Sequence, residues 1–90
     1  MAGLFASLSG RGKKEHFVSV DIGSSSIKVV EFDLSAEKPR LVSAAVAPTP
    51  AGAIVNNSII RPDEVASALR ALIDANEIVA TKAVFSIPGP

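Results

Sequence analysis

One run of eight residues contains the groups most suited to holding a phosphate. In order these residues are Asp21, Ile22, Gly23, Ser24, Ser25, Ser26, Ile27 and Lys28. Gly23 has no Cβ, so the chain can turn tightly there and an anion can approach closely. The N–H groups that follow can converge on phosphate oxygens as an anion nest, and the three serine hydroxyls add donors. The pattern predicts a phosphate-sized turn.

Strand alternation places the two charged ends of this motif. Lys28 shares its face with Val30 and Phe32, so its charge interrupts an apolar row, where a charge usually has a partner. Asp21 shares its face with Phe17 by the same alternation. A carboxylate beside a phosphate cluster is well placed to hold a hydrated Mg²⁺ or to position an attacking water.

The same motif also fits an ordinary serine-rich hairpin turn. In that interpretation Asp21 accepts hydrogen bonds from turn amides and Lys28 stands in solvent. Spacing alone leaves both interpretations open, and the surrounding elements favour the phosphate-binding one.

Strand and helix signals surround the motif. Residues 17–22, 27–33 and 41–47 predict an antiparallel meander of three strands, and residues 82–87 predict a fourth strand. Between them, residues 62–75 predict a helix with proline and acidic residues in its first turn. A crossover helix suits a parallel return into the same sheet. The expected fold is α/β, in the order β-β-β-α-β, with a mixed sheet and one crossover helix.

The predicted helix carries an apolar stripe that needs a sheet to lie on. Val65, Leu69, Leu72 and Ile73 follow the i, i+4, i+7, i+8 spacing of one helix face. Asn76 is the predicted C-cap, in the left-handed region.

Composition excludes several classes of function. Nine basic residues balance nine acidic ones, so no net field attracts nucleic acid, and we expect none to bind. Cysteine is absent and histidine occurs once, at His16, which excludes disulfides and sites with several histidine ligands. His16 itself is interpreted as a surface or strand-edge residue. No secretory signal and no stretch approaching ~20 apolar residues is found, so we expect a cytoplasmic protein without a transmembrane segment.

We predict two parts in the chain. Residues 1–15 are expected to be a flexible amphipathic and basic tail, in which Leu4, Phe5 and Leu8 have helical spacing before glycines interrupt it. Residues 16–90 are expected to contain the sheet, the helix and the turn.

The motif and the order of the elements resemble the PilM family, actin-like proteins of type IV pilus assembly related to the cell-division protein FtsA. The resemblance covers nearly all of the chain, including residues 3–5, 21–31, 63–73 and 83–89. It implies that residues 16–90 are the N-terminal part of an actin-like ATPase subdomain, of ribonuclease H-like fold, with the first phosphate loop. Serine after Gly23 argues against the Gly-Gly-Thr turn of many sugar kinases. A sugar-kinase fragment is therefore the weaker alternative, and an FtsA-like protein stays open.

The resemblance also implies ligands and residue roles. ATP and Mg²⁺ would be the ligands, and Asp21 would serve the metal and its water shell. Ser24 would offer its hydroxyl and amide to the terminal phosphate, and Ser25 and Ser26 would add backbone donors. Lys28 would meet the β- and γ-phosphates.

Partners, location and activity are implied in the same way. The resemblance implies a place at the cytoplasmic side of the inner membrane, where the short N-terminal peptide of PilN and the pilus assembly complex would be partners. No catalytic residue is assigned, because we expect an N-terminal fragment that cannot close or complete an ATP site. The rival hypothesis is a small β-α interaction module, without nucleotide, whose sheet edge pairs with a partner strand.

Overall fold

The computed structural model describes residues 2–7, 13–35 and 37–87. Its elements are β1 (Ala2–Ser7), β2 (Lys13–Ile22), β3 (Ser26–Asp33), β4 (Arg40–Pro48), β5 (Ile54–Val55), β6 (Ser58–Ile59), α1 (Pro62–Ala75) and β7 (Ala80–Ile87). Within these residues, β1, β7, β2, β3 and β4 form one sheet in that order, and β5 pairs with β6.

The main sheet is mixed, as the sequence predicts. Strands β2, β3 and β4 form an antiparallel meander, and β7 returns parallel to β2 after α1. The α/β fold with one crossover helix is therefore confirmed for the described residues.

The core lies between α1 and one face of this sheet. Val18 and Val20 of β2, and Ile27 and Val29 of β3, alternate with half-buried or exposed residues, and all four are almost completely buried. The helix adds Val65 and Leu72 to this core, and Leu69 packs against it. The predicted apolar stripe therefore faces the sheet, where each fully buried aliphatic side chain contributes about 1.5–3 kcal/mol.

The opposite face of the sheet carries Lys28, which is exposed, and the half-buried Val30 and Phe32. In the described part of the chain, α1 is on the other side, so no helix covers this face. Asp21 and Lys28 consequently lie on the open side of the sheet.

The first residues differ from the predicted tail. Ala2–Ser7 forms a strand that pairs antiparallel with β7, and β2 begins at Lys13. The backbone of β7 offers this segment a partner that is distant in sequence, which local spacing could not indicate. The division into tail and domain at residue 15 stays a prediction, and Leu8 lies outside the described residues.

The end of α1 confirms Asn76 as the C-cap but corrects its predicted conformation. Asn76 has φ of −103°, so it is not left-handed, and its side-chain amide instead donates to Leu72 C=O over 2.8 Å. Glu77, with φ of 52°, takes the left-handed position. Its N–H donates to Asp74 C=O, and the next N–H donates to Ile73 C=O, which together make a Schellman motif.

A short hairpin, formed by β5 and β6, precedes the helix. β5 and β6 are joined by Asn56 and Asn57, which have φ of 51° and 62°. Two left-handed residues form a type I′ turn, and asparagine tolerates that conformation.

Candidate functional site

The predicted phosphate turn joins β2 to β3 through residues 23–25. In the antiparallel register Asp21 lies opposite Lys28, and Ile22 lies opposite Ile27. Both isoleucines are buried in the core, so the two charged residues share the opposite face. Directly opposed Cβ atoms in such a pair are about 5 Å apart. The shared faces predicted for Lys28 with Val30, and for Asp21 with Phe17, agree with this register.

Both charged residues at this end of the hairpin are at least partly accessible to solvent. Lys28 is exposed and Asp21 is half-buried. The ion pairs recorded in the described residues include neither of them. The fold therefore brings a cation and an anion together here, and within the described residues neither belongs to a recorded ion pair.

The backbone of the turn explains the glycine. Gly23 N–H donates to Ser26 C=O over 2.9 Å, and a Cβ added at Gly23 would lie 3.2 Å from that same oxygen. A larger residue would therefore push against the turn. Ser24 and Ser25 are exposed, and no hydrogen bond to their hydroxyls or from their N–H groups is recorded in the residues that the structure describes. The predicted donors of Ser24 and Ser25 therefore lie in an exposed part of the turn.

Thr49, directly after β4, holds the turn, a role that the sequence pattern does not predict. Its hydroxyl donates to Gly23 C=O over 2.6 Å, and its N–H donates to Ser25 C=O over 3.0 Å. Thr49 directly follows Pro48, which pairs with Ser26 in the β3–β4 ladder, so the folded sheet brings it beside the turn.

A second polar cluster lies at the opposite end of the same hairpin. His16 Nδ1 is 2.7 Å from Glu31 Oε2, and its Nε2 is 3.8 Å from Asp33 Oδ2. Glu31 also accepts a hydrogen bond from Val79 N–H over 3.2 Å, and Arg40 is 3.0 Å from Asp33. The surface position predicted for His16 is wrong, because two carboxylates on the neighbouring strand satisfy a buried imidazole.

Asp33 is held in its charged form. The hydroxyl and the backbone N–H of Ser35 both donate to this carboxylate, and nearby His16 and Arg40 add favourable charge. Together they outweigh the effect of burial and lower the pKa of Asp33 from 3.8 to about 2. The described residues hold no group of three or more side chains suited to a metal. The polar groups of this cluster pair with one another, with Arg40 and with the backbone.

Comparison with known proteins identifies one family. Residues 19–90 match the family model described as type IV pilus assembly protein PilM. The matched region contains the whole turn, Thr49, α1 and β7. Neither the curated proteins nor the solved structures give a match. In the described residues, no helix has the length and apolar character needed to cross a membrane.

Proposed function

Since the chain belongs to the PilM family of type IV pilus assembly proteins, we propose that residues 21–28 form the first phosphate loop of a Mg-ATP site. One observation carries this proposal. Asp21 and Lys28 lie opposite each other beside an open turn, and neither has an ion-pair partner in the described residues. Charges that a fold leaves unpaired together beside free backbone donors suit a charged ligand.

Each group of the turn has a chemical role in this proposal. Lys28 meets the β- and γ-phosphates, because an ammonium offers three donors and a full charge. Ser24 donates its hydroxyl and amide to the terminal phosphate, and Ser25 and Ser26 add backbone donors. Asp21 holds the water shell of Mg²⁺, which prefers few carboxylates and several waters.

The turn supplies one wall of the site. Phosphoryl transfer depends on several groups that converge from different directions, and residues 21–28 all approach from one end of the sheet. We therefore propose that this chain is the N-terminal part of a two-lobed protein, and that it neither encloses ATP nor hydrolyses it by itself.

The proposed role is that of a nucleotide-binding scaffold. It would work on the cytoplasmic side of the inner membrane, where the N-terminal peptide of PilN would bind it within the pilus assembly complex. The support is the match to a family described as a type IV pilus assembly protein. Co-purification of the full-length protein with a PilN peptide, compared with a scrambled peptide, tests this part directly.

A second candidate function is strand addition at the edge of the sheet. β4 lies at an edge, and Leu41 and Val46 are 59% and 64% exposed. Residues 41–47 contain no charge and no proline, so the middle of β4 lacks two of the usual features that block edge pairing, whereas Arg40 and Pro48 stand at its ends. An extended peptide could pair there without any nucleotide.

Calorimetry on the full-length protein separates these functions. Asp21→Ala and Lys28→Ala should each weaken Mg-ATP binding about tenfold or more, as the loss of a charge-assisted contact requires. Asp74→Ala and Lys38→Ala are matched controls, because both residues are exposed and lie outside the turn. If the wild type binds Mg-ATP and neither turn substitution changes its affinity, residues 23–25 are an ordinary turn.

A further inference from the structure

Thr49 fixes the orientation of two peptide groups in the phosphate turn. Its hydroxyl and its N–H donate to the carbonyls of Gly23 and Ser25, at 2.6 Å and 3.0 Å. Thr49 is itself buried. It follows β4 directly, so both contacts draw turn carbonyls toward that strand.

The orientation of a carbonyl sets that of the N–H in the same peptide group. In a trans peptide the C=O and the N–H point in opposite directions, and the described residues contain no cis peptide. Gly23 C=O shares its peptide with Ser24 N–H, and Ser25 C=O shares its peptide with Ser26 N–H. Thr49 therefore turns the N–H groups of Ser24 and Ser26 away from β4.

The same contact keeps the turn from closing on itself. Gly23 N–H donates to Ser26 C=O over 2.9 Å. In a closed two-residue hairpin turn, Ser26 N–H would donate back to Gly23 C=O. That return bond is not among those recorded for the described residues, and the carbonyl accepts from the Thr49 hydroxyl instead. Ser26 N–H is left for an acceptor outside the turn.

We propose that Thr49 is a positioning residue that holds the phosphate turn open and aims the Ser24 and Ser26 N–H groups at the ligand. This inference rests on the proposed function, because phosphate oxygens are the acceptors it assigns to those groups. Without the hydroxyl, Gly23 C=O is free to accept from Ser26 N–H, and the turn loses a donor for the anion.

The test compares binding of Mg-ATP and of adenosine by the full-length protein. Thr49→Val keeps the side-chain shape without the hydroxyl, and it should weaken Mg-ATP binding about tenfold. Adenosine affinity should not change, because adenosine carries no phosphate. Thr49→Ser should restore Mg-ATP affinity. Asn76→Ala, which removes a side-chain hydrogen bond at the far end of α1, controls for general loss of stability.

Amide hydrogen exchange supplies a second readout that needs no ligand. Ser26 N–H should exchange more slowly in Thr49→Val than in the wild type, because the closed turn protects it. Thr49→Ala removes the same hydroxyl and serves the same comparisons if the valine variant does not fold.

If the wild type does not bind Mg-ATP, the proposed function fails and this inference fails with it. If the wild type binds and a folded variant without the hydroxyl keeps the wild-type ratio of Mg-ATP to adenosine affinity, only this inference is overturned.

Discussion

The polar residues at the two ends of the β2–β3 hairpin differ in burial and in pairing. At one end, His16, Glu31 and Asp33 are buried, and their side chains pair with one another and with the backbone. At the other end, Asp21 and Lys28 face the open side of the sheet without an ion-pair partner in the described residues. Polar groups that satisfy one another hold a fold together, whereas polar groups left unpaired side by side are free to bind.

The largest effect on folding is expected at the buried end. Glu31 is 1% exposed and accepts from both His16 and Val79 N–H. Glu31→Ala leaves the buried His16 and the partly buried N–H of Val79 without this acceptor, so the free energy of unfolding should fall by about 3 kcal/mol in urea denaturation. Glu31→Gln keeps an acceptor oxygen and should lose less. An alanine variant as stable as the wild type would show that the buried polar cluster does not stabilise the fold.

Lys28→Ala should show the reverse pattern. The exposed side chain has no recorded partner in the described residues, so the free energy of unfolding should stay within about 0.5 kcal/mol of the wild type. Mg-ATP binding, by contrast, should weaken by about 2 kcal/mol through the loss of a charged donor. Denaturation and calorimetry on the same preparation measure the two values. A variant that loses stability but keeps its affinity would show that both ends serve the fold.

Gly23→Ala tests whether the backbone of the turn contributes to Mg-ATP binding. The new Cβ would press on Ser26 C=O from 3.2 Å, so the variant should lose about 1 kcal/mol of stability and also bind Mg-ATP more weakly. Gly52→Ala is the matched control, because Gly52 has φ of +71° in open space and should lose a similar stability. Mg-ATP affinity should not change in the control. Equal affinities in the two variants would contradict a role for the turn.

The smallest effect is expected from acid. Asp33 has a folded pKa of about 2, below its ordinary value of 3.8, so its charged form stabilises the fold. This contribution is complete above about pH 4 and is lost as the pH falls toward 2. Urea denaturation at pH 5, 4 and 3 should therefore show a decline that Asp33→Asn reduces. Parallel pH profiles for the two proteins would show that Asp33 does not stabilise the cluster.

Periodicity explains which parts of this structure the sequence predicts. The shared face of Asp21 and Lys28 follows from alternation, and the buried stripe of α1 follows from helical spacing. Both depend only on local order. The hydrogen bonds of Glu31 to residues 16 and 79, and those of Thr49 to the turn, join residues that only the folded sheet brings together.

The sequence also did not predict which residue at the end of α1 adopts the left-handed conformation. Asn76 and Glu77 are neighbours, and a left-handed asparagine is the more common helix end. Here Asn76 uses its side chain to bind Leu72 C=O, so Glu77 takes the left-handed conformation. Which of these two residues is left-handed therefore depends on hydrogen bonds that form only at the folded end of the helix.

The most direct test of the central claim is an NMR titration of the isotope-labelled full-length protein with Mg-ATP, following backbone amides at both ends of the hairpin. We expect saturable shifts in residues 23–28, with the largest at Ser24 and Ser26, and little change at His16, Glu31 and Asp33. Saturable binding that leaves residues 23–28 unshifted, or no binding at all, would contradict the claim that the open end of this hairpin holds phosphate.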